Sequence, residues 1–115
     1  MYTYKVNLKR VVDADTIIFD IDLGFEVWLR NVTVRLNRID AYETRLSKTT
    51  TPAMKALGLE GKVWLQALLD ENLTDITIET NKRGKYGRWI AEVVVGGLNS
   101  SDALVSHGYA IYRDY

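Results

Sequence analysis

From Tyr4 to Val12 apolar and polar residues alternate, with Tyr4, Val6, Leu8 and Val12 in the apolar set, and this predicts a half-buried strand. Val11 breaks the alternation beside Val12, so a bulge or a strand twist is expected there. Val12 to Thr16 reads as a turn, Ile17 to Leu23 resumes a strand, and Gly24 lets the chain reverse. Glu26 to Arg38 reads as one long strand or a strand broken at Asn31. The first third of the chain is therefore a three-stranded meander.

The segment Thr44 to Thr51 is polar and reads as a surface loop. Pro52 opens a short helical turn through Leu57, Gly58 interrupts it, and the main helix is expected from Leu59 to Glu71. Its inward stripe reads as Val63, Trp64, Ala67 and Leu68, with Lys62, Gln66 and Asp70 pointing away. Asp75 to Thr80 alternates again, Asn81 to Gly87 is a basic turn, and Trp89 to Val95 is a fifth strand. Asn99 or Ser100 caps a short helix through Ser106, stopped by Gly108. The order predicts a mainly β fold with α: a closed five-stranded OB-type barrel with one main and one short helix. A ferredoxin-like sheet would need a second full helix in a different place.

Composition narrows this picture without deciding function. At 115 residues, one domain spanning 1–115 is expected. There is no cysteine, which excludes disulfides, thiolate metal sites and cysteine nucleophiles. No apolar run is long enough to cross a bilayer, so no membrane partner is expected. The first ten residues alternate like a strand and lack the pattern of an export signal, which predicts a cytoplasmic or host-cell intracellular protein. Fifteen basic residues balance fifteen acidic ones, which argues mildly against a nucleic-acid partner. If Asp15, Asp40 and Glu43 are site carboxylates, fifteen cations face only twelve remaining acids.

Three charged patches carry candidate chemistry. Asp13-Ala14-Asp15-Thr16 sets two carboxylates at a turn; it is either an Asx-type turn or a site for a hard cation such as Ca²⁺. Arg35-Leu-Asn-Arg-Ile-Asp40-Ala-Tyr-Glu43 gathers a cation, a metal-type carboxylate and a further acid at a strand end, either as solvated charge or as a site on rigid scaffold. Lys82 to Arg88 is either a basic hairpin turn or a phosphate clamp, with Arg88 at a strand root and Lys85 and Tyr86 beside it. Together they supply the parts for metal-assisted phosphodiester hydrolysis: carboxylates for a divalent ion, two arginines for the phosphate, and Glu43 to deprotonate or orient water. His107 reads as a surface or C-cap residue, and Trp28, Trp64 and Trp89 as core or sheet-face residues. Tyr109, Tyr112 and Tyr115 are either barrel packing or a platform for bases.

At these residues the chain resembles the staphylococcal nuclease family. Val12-Asp-Ala-Asp-Thr-Ile17, Arg35 to Glu43 and Lys85-Tyr-Gly-Arg88 resemble its three signatures, in order, and the likeness runs from about residue 4 to 112. The resemblance implies a Ca²⁺-dependent hydrolase of DNA and RNA that leaves 3′-phosphate ends. It implies Asp15, Asp40 and the carbonyl of Ala41 as metal ligands, with Asp13 in support. It implies Glu43 as general base, Arg35 and Arg88 as catalytic phosphate-binding residues, and Lys85, Tyr86 and Tyr112 as substrate contacts. Single strands are the expected preference, because they reach a cleft easily and backbone attraction is modest.

Two departures from the family pattern set further expectations. Ala41-Tyr42 stands where the family commonly has threonine and proline, which predicts a looser loop. The chain ends soon after Tyr112, where the family continues into a third helix. A homodimer, or the tyrosine-rich tail, is therefore expected to cover the face left bare. A catalytically silent nucleic-acid or protein binding module on the same barrel is the competing account.

Overall fold

The computed structural model describes residues 2–42, 51–83 and 88–113, the side chains of 81–83 excepted. Its elements run β1 (Tyr2–Asp13), β2 (Thr16–Asp22), β3 (Trp28–Leu36), β4 (Ile39–Ala41), α1 (Pro52–Asp70), β5 (Ile76–Arg83), β6 (Trp89–Val95), β7 (Leu98–Asn99), α2 (Ser100–Ser106) and β8 (Ala110–Tyr112). Strands β3-β2-β1-β5-β6 neighbour one another in that order, and a parallel pairing of β3 with β6 closes them into a five-stranded barrel. This is the expected OB-type architecture with two helices. The alternation of β2 and β6 puts Ile17, Phe19, Ile21, Ala91, Val93 and Val95 into the core, with Val34 and Leu36 from β3.

The irregular positions fall where the hydrophobic pattern breaks. The β1–β2 register slips on both sides of Val11, between Leu8 and Arg10 and between Val11 and Asp13. The expected break at Asn31 is a bulge: the β2–β3 register shifts between Phe19 and Ile21, and Asn31 takes a left-handed φ of 55°. The strand stops at Leu36 instead of Arg38. Arg38 itself is left-handed, at φ 66°, in the tight turn that leads into β4.

Two expectations about the helix are corrected. Gly58 does not interrupt it: α1 is continuous from Pro52, with Thr51 as N-cap accepting the Met54 N–H at 3.1 Å. Its buried face is Gly58, Gly61, Leu65 and Leu69, while Val63 and Ala67 are exposed and Trp64 and Leu68 half-buried. Close approach explains the rotation. A Cβ on Gly61 would stand 2.9 Å from the Tyr109 Cβ and 3.2 Å from the Ala14 Cβ, so glycine lets the helix axis press onto the β1–β2 turn. A sequence stripe weighted by side-chain size misses a face built on two glycines.

The tail is part of the fold. β8 pairs antiparallel with β4, aligning Ile39 with Tyr112, Asp40 with Ile111 and Ala41 with Ala110. Between α2 and β8, His107 forms the C-cap, as one of its two expected readings has it. Trp64 of α1 meets His107 at a tilt, with centroids 4.7 Å apart, and His107 lies parallel to Tyr109 at 6.5 Å.

Candidate active site

The site lies where the β1–β2 turn, the end of β3 and the short strand β4 meet. Leu36 donates its N–H to the Asp15 carbonyl at 2.8 Å, which pins the turn to β3. In the ladders Arg35 sits between Thr16 of β2 and Ile90 of β6, so its backbone is fixed from both sides. The side chain is only 10% exposed. Its Nη1 lies 3.2 Å from Asp15 Oδ2 and its Nη2 donates to Asp40 Oδ1 at 3.2 Å. One guanidinium thus gathers two carboxylates from segments 25 positions apart in sequence (Asp15 and Asp40).

Each carboxylate has further partners. Asp15 Oδ2 accepts the Ala41 N–H at 3.0 Å and Oδ1 accepts the Thr16 hydroxyl at 3.0 Å. Asp40 Oδ2 accepts from Arg113 Nη1 at 2.8 Å. Arg113 follows β8 directly, and its N–H donates to the Arg38 carbonyl at 2.7 Å. Burial pushes the Asp15 carboxyl above its ordinary value, and the nearby Asp13 charge adds to that push. Arg35 and the two hydrogen bonds act in the opposite direction without cancelling it. Burial thus outweighs the arginine beside the Asp15 carboxylate.

The turn bearing Asp40 is clamped from the other side. Arg38 Nε donates to Glu92 Oε1 at 3.0 Å and Nη1 to Asp102 Oδ1 at 2.9 Å. Asn99 also donates to Glu92 Oε1, at 3.1 Å. Those bonds hold the Arg38 guanidinium more firmly protonated than usual and the Asp102 carboxyl below its ordinary range. Tyr112, expected as a substrate contact, donates its hydroxyl to Asp102 Oδ1 at 2.9 Å, and this bond raises its phenol. The structure thus places Tyr112 in the Arg38 clamp on the α2 side of β8, and its ring lies 6.0 Å from the Arg38 guanidinium carbon.

Of the sequence-predicted site residues, Asp15, Arg35, Asp40 and Ala41 come together. Arg88 immediately precedes β6 and is half-buried. It stands two residues before Ile90, the β6 partner of Arg35 in the ladder. Asp13 is half-buried at the same turn and adds negative charge next to Asp15. Glu43, Lys85 and Tyr86 lie outside the described residues. Sequence reasoning missed Arg38 as a clamp and Arg113 as a partner of Asp40. A lone arginine among tail tyrosines gave no signal, because the β4–β8 ladder that brings it to Asp40 spans some seventy residues of chain.

The donors suit a hard divalent cation. Asp15 and Asp40 offer carboxylate oxygens, and the chain has no cysteine to supply a soft thiolate. Among the described residues no three His, Asp or Glu side chains cluster as a metal cage. Two carboxylates, a backbone carbonyl and waters are the kind of set that oxygen-seeking ions accept.

An OB-type barrel carrying paired carboxylates around a buried arginine is a scaffold suited to phosphate chemistry. A family model described as staphylococcal nuclease homologue matches residues 33–115, and the chain belongs to that family. The matched span holds Arg35, Asp40, Ala41, Glu43, Lys85, Tyr86, Arg88 and Tyr112, and begins after Asp15. No curated protein matches the chain.

Proposed function

We propose that the chain is a Ca²⁺-dependent phosphodiesterase that hydrolyses DNA and RNA, single strands preferred, and leaves 3′-phosphate ends. The observation that carries this reading is the convergence of Asp15 and Asp40 on the Arg35 guanidinium, both at 3.2 Å. Asp15, Asp40 and the Ala41 carbonyl are the groups that would hold the ion. When bound, the ion lowers the pKa of a coordinated water and neutralises charge on a phosphate oxygen.

The protein's own residues supply the rest. Arg35 is held in place by two ladders and by its bond to the Leu36 carbonyl at 3.3 Å, which limits the reordering it needs when charge develops on the phosphate. Arg88, at the root of β6, would be the second cation, since its fork geometry matches two phosphate oxygens. Glu43 follows Ala41 by two residues and would take the proton of the attacking water. Lys85 and Tyr86 would hold the flanking nucleotide.

The test is hydrolysis of single-stranded DNA and RNA with Ca²⁺, with chelator, and in Glu43→Gln and Arg35→Ala variants. Activity that needs Ca²⁺ and collapses in both folded variants is expected. A well-folded wild type that binds strands and cleaves none of them with any divalent ion would move the reading to a silent binding module on the same barrel.

A further inference from the structure

We propose that Arg113 is an exchanging arm of the site: it yields Asp40 when a divalent cation binds and turns to the phosphate of the substrate. The inference rests on the proposed function. Its starting point is that both oxygens of Asp40 are held by arginines, Oδ1 by Arg35 at 3.2 Å and Oδ2 by Arg113 at 2.8 Å. Each oxygen keeps a second lone pair, so a cation that uses Asp40 competes with one of them for the charge of the carboxylate.

The two arginines differ in their freedom to leave. Arg35 is 10% exposed and has a second carboxylate, Asp15, and the Leu36 carbonyl to hold it. Arg113 is 62% exposed, and Asp40 is its ion-pair partner. An exposed pair of this kind is weak, so losing it costs little. The backbone of Arg113 is held separately, by its N–H to the Arg38 carbonyl at 2.7 Å at the end of the β4–β8 ladder. The side chain can therefore swing while its root stays beside the site.

Charge supplies the direction of the swing. A cation bound at Asp15 and Asp40 removes the attraction that holds the Arg113 guanidinium, and the anion that then enters the site is a phosphodiester. Arginine pairs with phosphate through two parallel hydrogen bonds. Arg113 would thus add a third guanidinium to Arg35 and Arg88, from a segment that neither of the other two occupies.

Exchange predicts opposite effects on the two ligands. Arg113→Ala keeps the backbone N–H and is expected to fold. Calorimetric titration with Ca²⁺ alone should show the variant binding the ion more tightly, by up to about fivefold. Binding of a short single-stranded DNA with Ca²⁺, in a Glu43→Gln background, should weaken by roughly fivefold at low salt. The slope of log affinity against log salt should become shallower by about 0.7, the share of one phosphate contact on a single strand. Arg113→Lys should restore the slope, since it keeps the charge.

Ca²⁺ affinity that is unchanged or weaker in Arg113→Ala, or an unchanged salt slope, overturns the exchange. A wild type that binds neither Ca²⁺ nor DNA fails earlier and brings down the proposed function itself. Wild type that binds both, with a variant indistinguishable from it, overturns the exchange alone.

Discussion

Asp20 and Asp15 both serve strand β2, both are largely removed from water and both face arginine, yet their carboxyls shift in opposite directions. Asp20 is 2% exposed and accepts the Asn31 N–H at 2.9 Å and Arg30 Nη1 at 3.0 Å, with Lys9 at 3.4 Å. The backbone bond from Asn31 leads in pulling its carboxyl below the ordinary range, and the two cations reinforce it against burial. Asp15, with a side chain 13% exposed, shares Arg35 with Asp40 and has Asp13 nearby, and there burial wins. Asp20 is a completed structural carboxylate that fixes the β-bulge at Asn31. Asp15 is held in place by Arg35, the Ala41 N–H and the Thr16 hydroxyl, yet burial still disfavours its anion, the kind of perturbed carboxyl that marks a candidate functional site.

The sharpest way to break this contrast is to remove the arginine from each. Arg35→Ala leaves two partly buried carboxylates without their shared cation. Loss of activity of about 10²–10³-fold is expected from the missing phosphate donor, with destabilisation approaching about 3 kcal/mol. Arg30→Ala removes a mostly exposed partner from Asp20, which keeps Lys9 and the Asn31 N–H. No more than about 1 kcal/mol is expected, with unchanged activity. Hydrolysis rates and urea midpoints of the two variants check both; equal losses would erase the distinction between the two ends of the strand.

Calcium itself sharpens the comparison. At a hundred times its dissociation constant the ion should stabilise the wild type by about 2.7 kcal/mol, read as a shift in thermal midpoint. Asp15→Asn should abolish that shift and Asp20→Asn should keep it, even from a lower starting midpoint. A shift that survives in Asp15→Asn would place the ion elsewhere.

A third variant links packing to the site. Gly61→Ala pushes a methyl against Tyr109 and against Ala14, the neighbour of Asp15. Overpacking of about 1–3 kcal/mol is expected, less the gain of up to about 1 kcal/mol in helix propensity. Ca²⁺ affinity should fall with it, whereas Val63→Ala, on the exposed side of the same helix, should leave both stability and affinity near wild type. Equal behaviour of the two variants in calorimetry and urea unfolding would separate α1 from the site.

Legibility followed the range of the interactions. Period-two alternation showed all five barrel strands, because the side chains that pack the barrel lie within each strand. The charged turn at Asp15 and the strand end at Arg35 and Asp40 were legible for the same reason: each is a local cluster at the edge of an apolar run. The buried face of α1 was not, since Gly58 and Gly61 carry no hydrophobic signal and the role of Gly61 depends on Ala14 and Tyr109 across the fold. Arg38 was read as a strand residue because nothing local announces a left-handed arginine. Only Glu92 and Asp102, more than fifty positions away, account for a side chain being kept where glycine would be unstrained.

The finest separation of the two aspartates is their response to pH. Asp15 binds its proton more tightly in the folded chain than in the unfolded one. Stability should therefore fall as pH rises from the ordinary carboxylate value through the raised one, leaving the Asp15 anion a net cost at neutral pH. Asp20 has the reverse sign: its contribution is present above the ordinary value and is lost as pH drops through the depressed one. Urea midpoints followed from roughly pH 3 to pH 7 should show Asp15→Asn losing less stability than wild type over the upper part of that range, and Asp20→Asn being weaker than wild type at neutral pH and less sensitive to acid. Without Ca²⁺ the two curves should diverge from wild type on opposite sides. With Ca²⁺ the wild type and Asp20→Asn should both recover at neutral pH relative to Asp15→Asn, because the ion supplies the charge that Arg35 divides between two carboxylates. Two variants displaced to the same side would mean that Asp15, like Asp20, is an ordinary structural acid, and that its arginine is all the positive charge it requires.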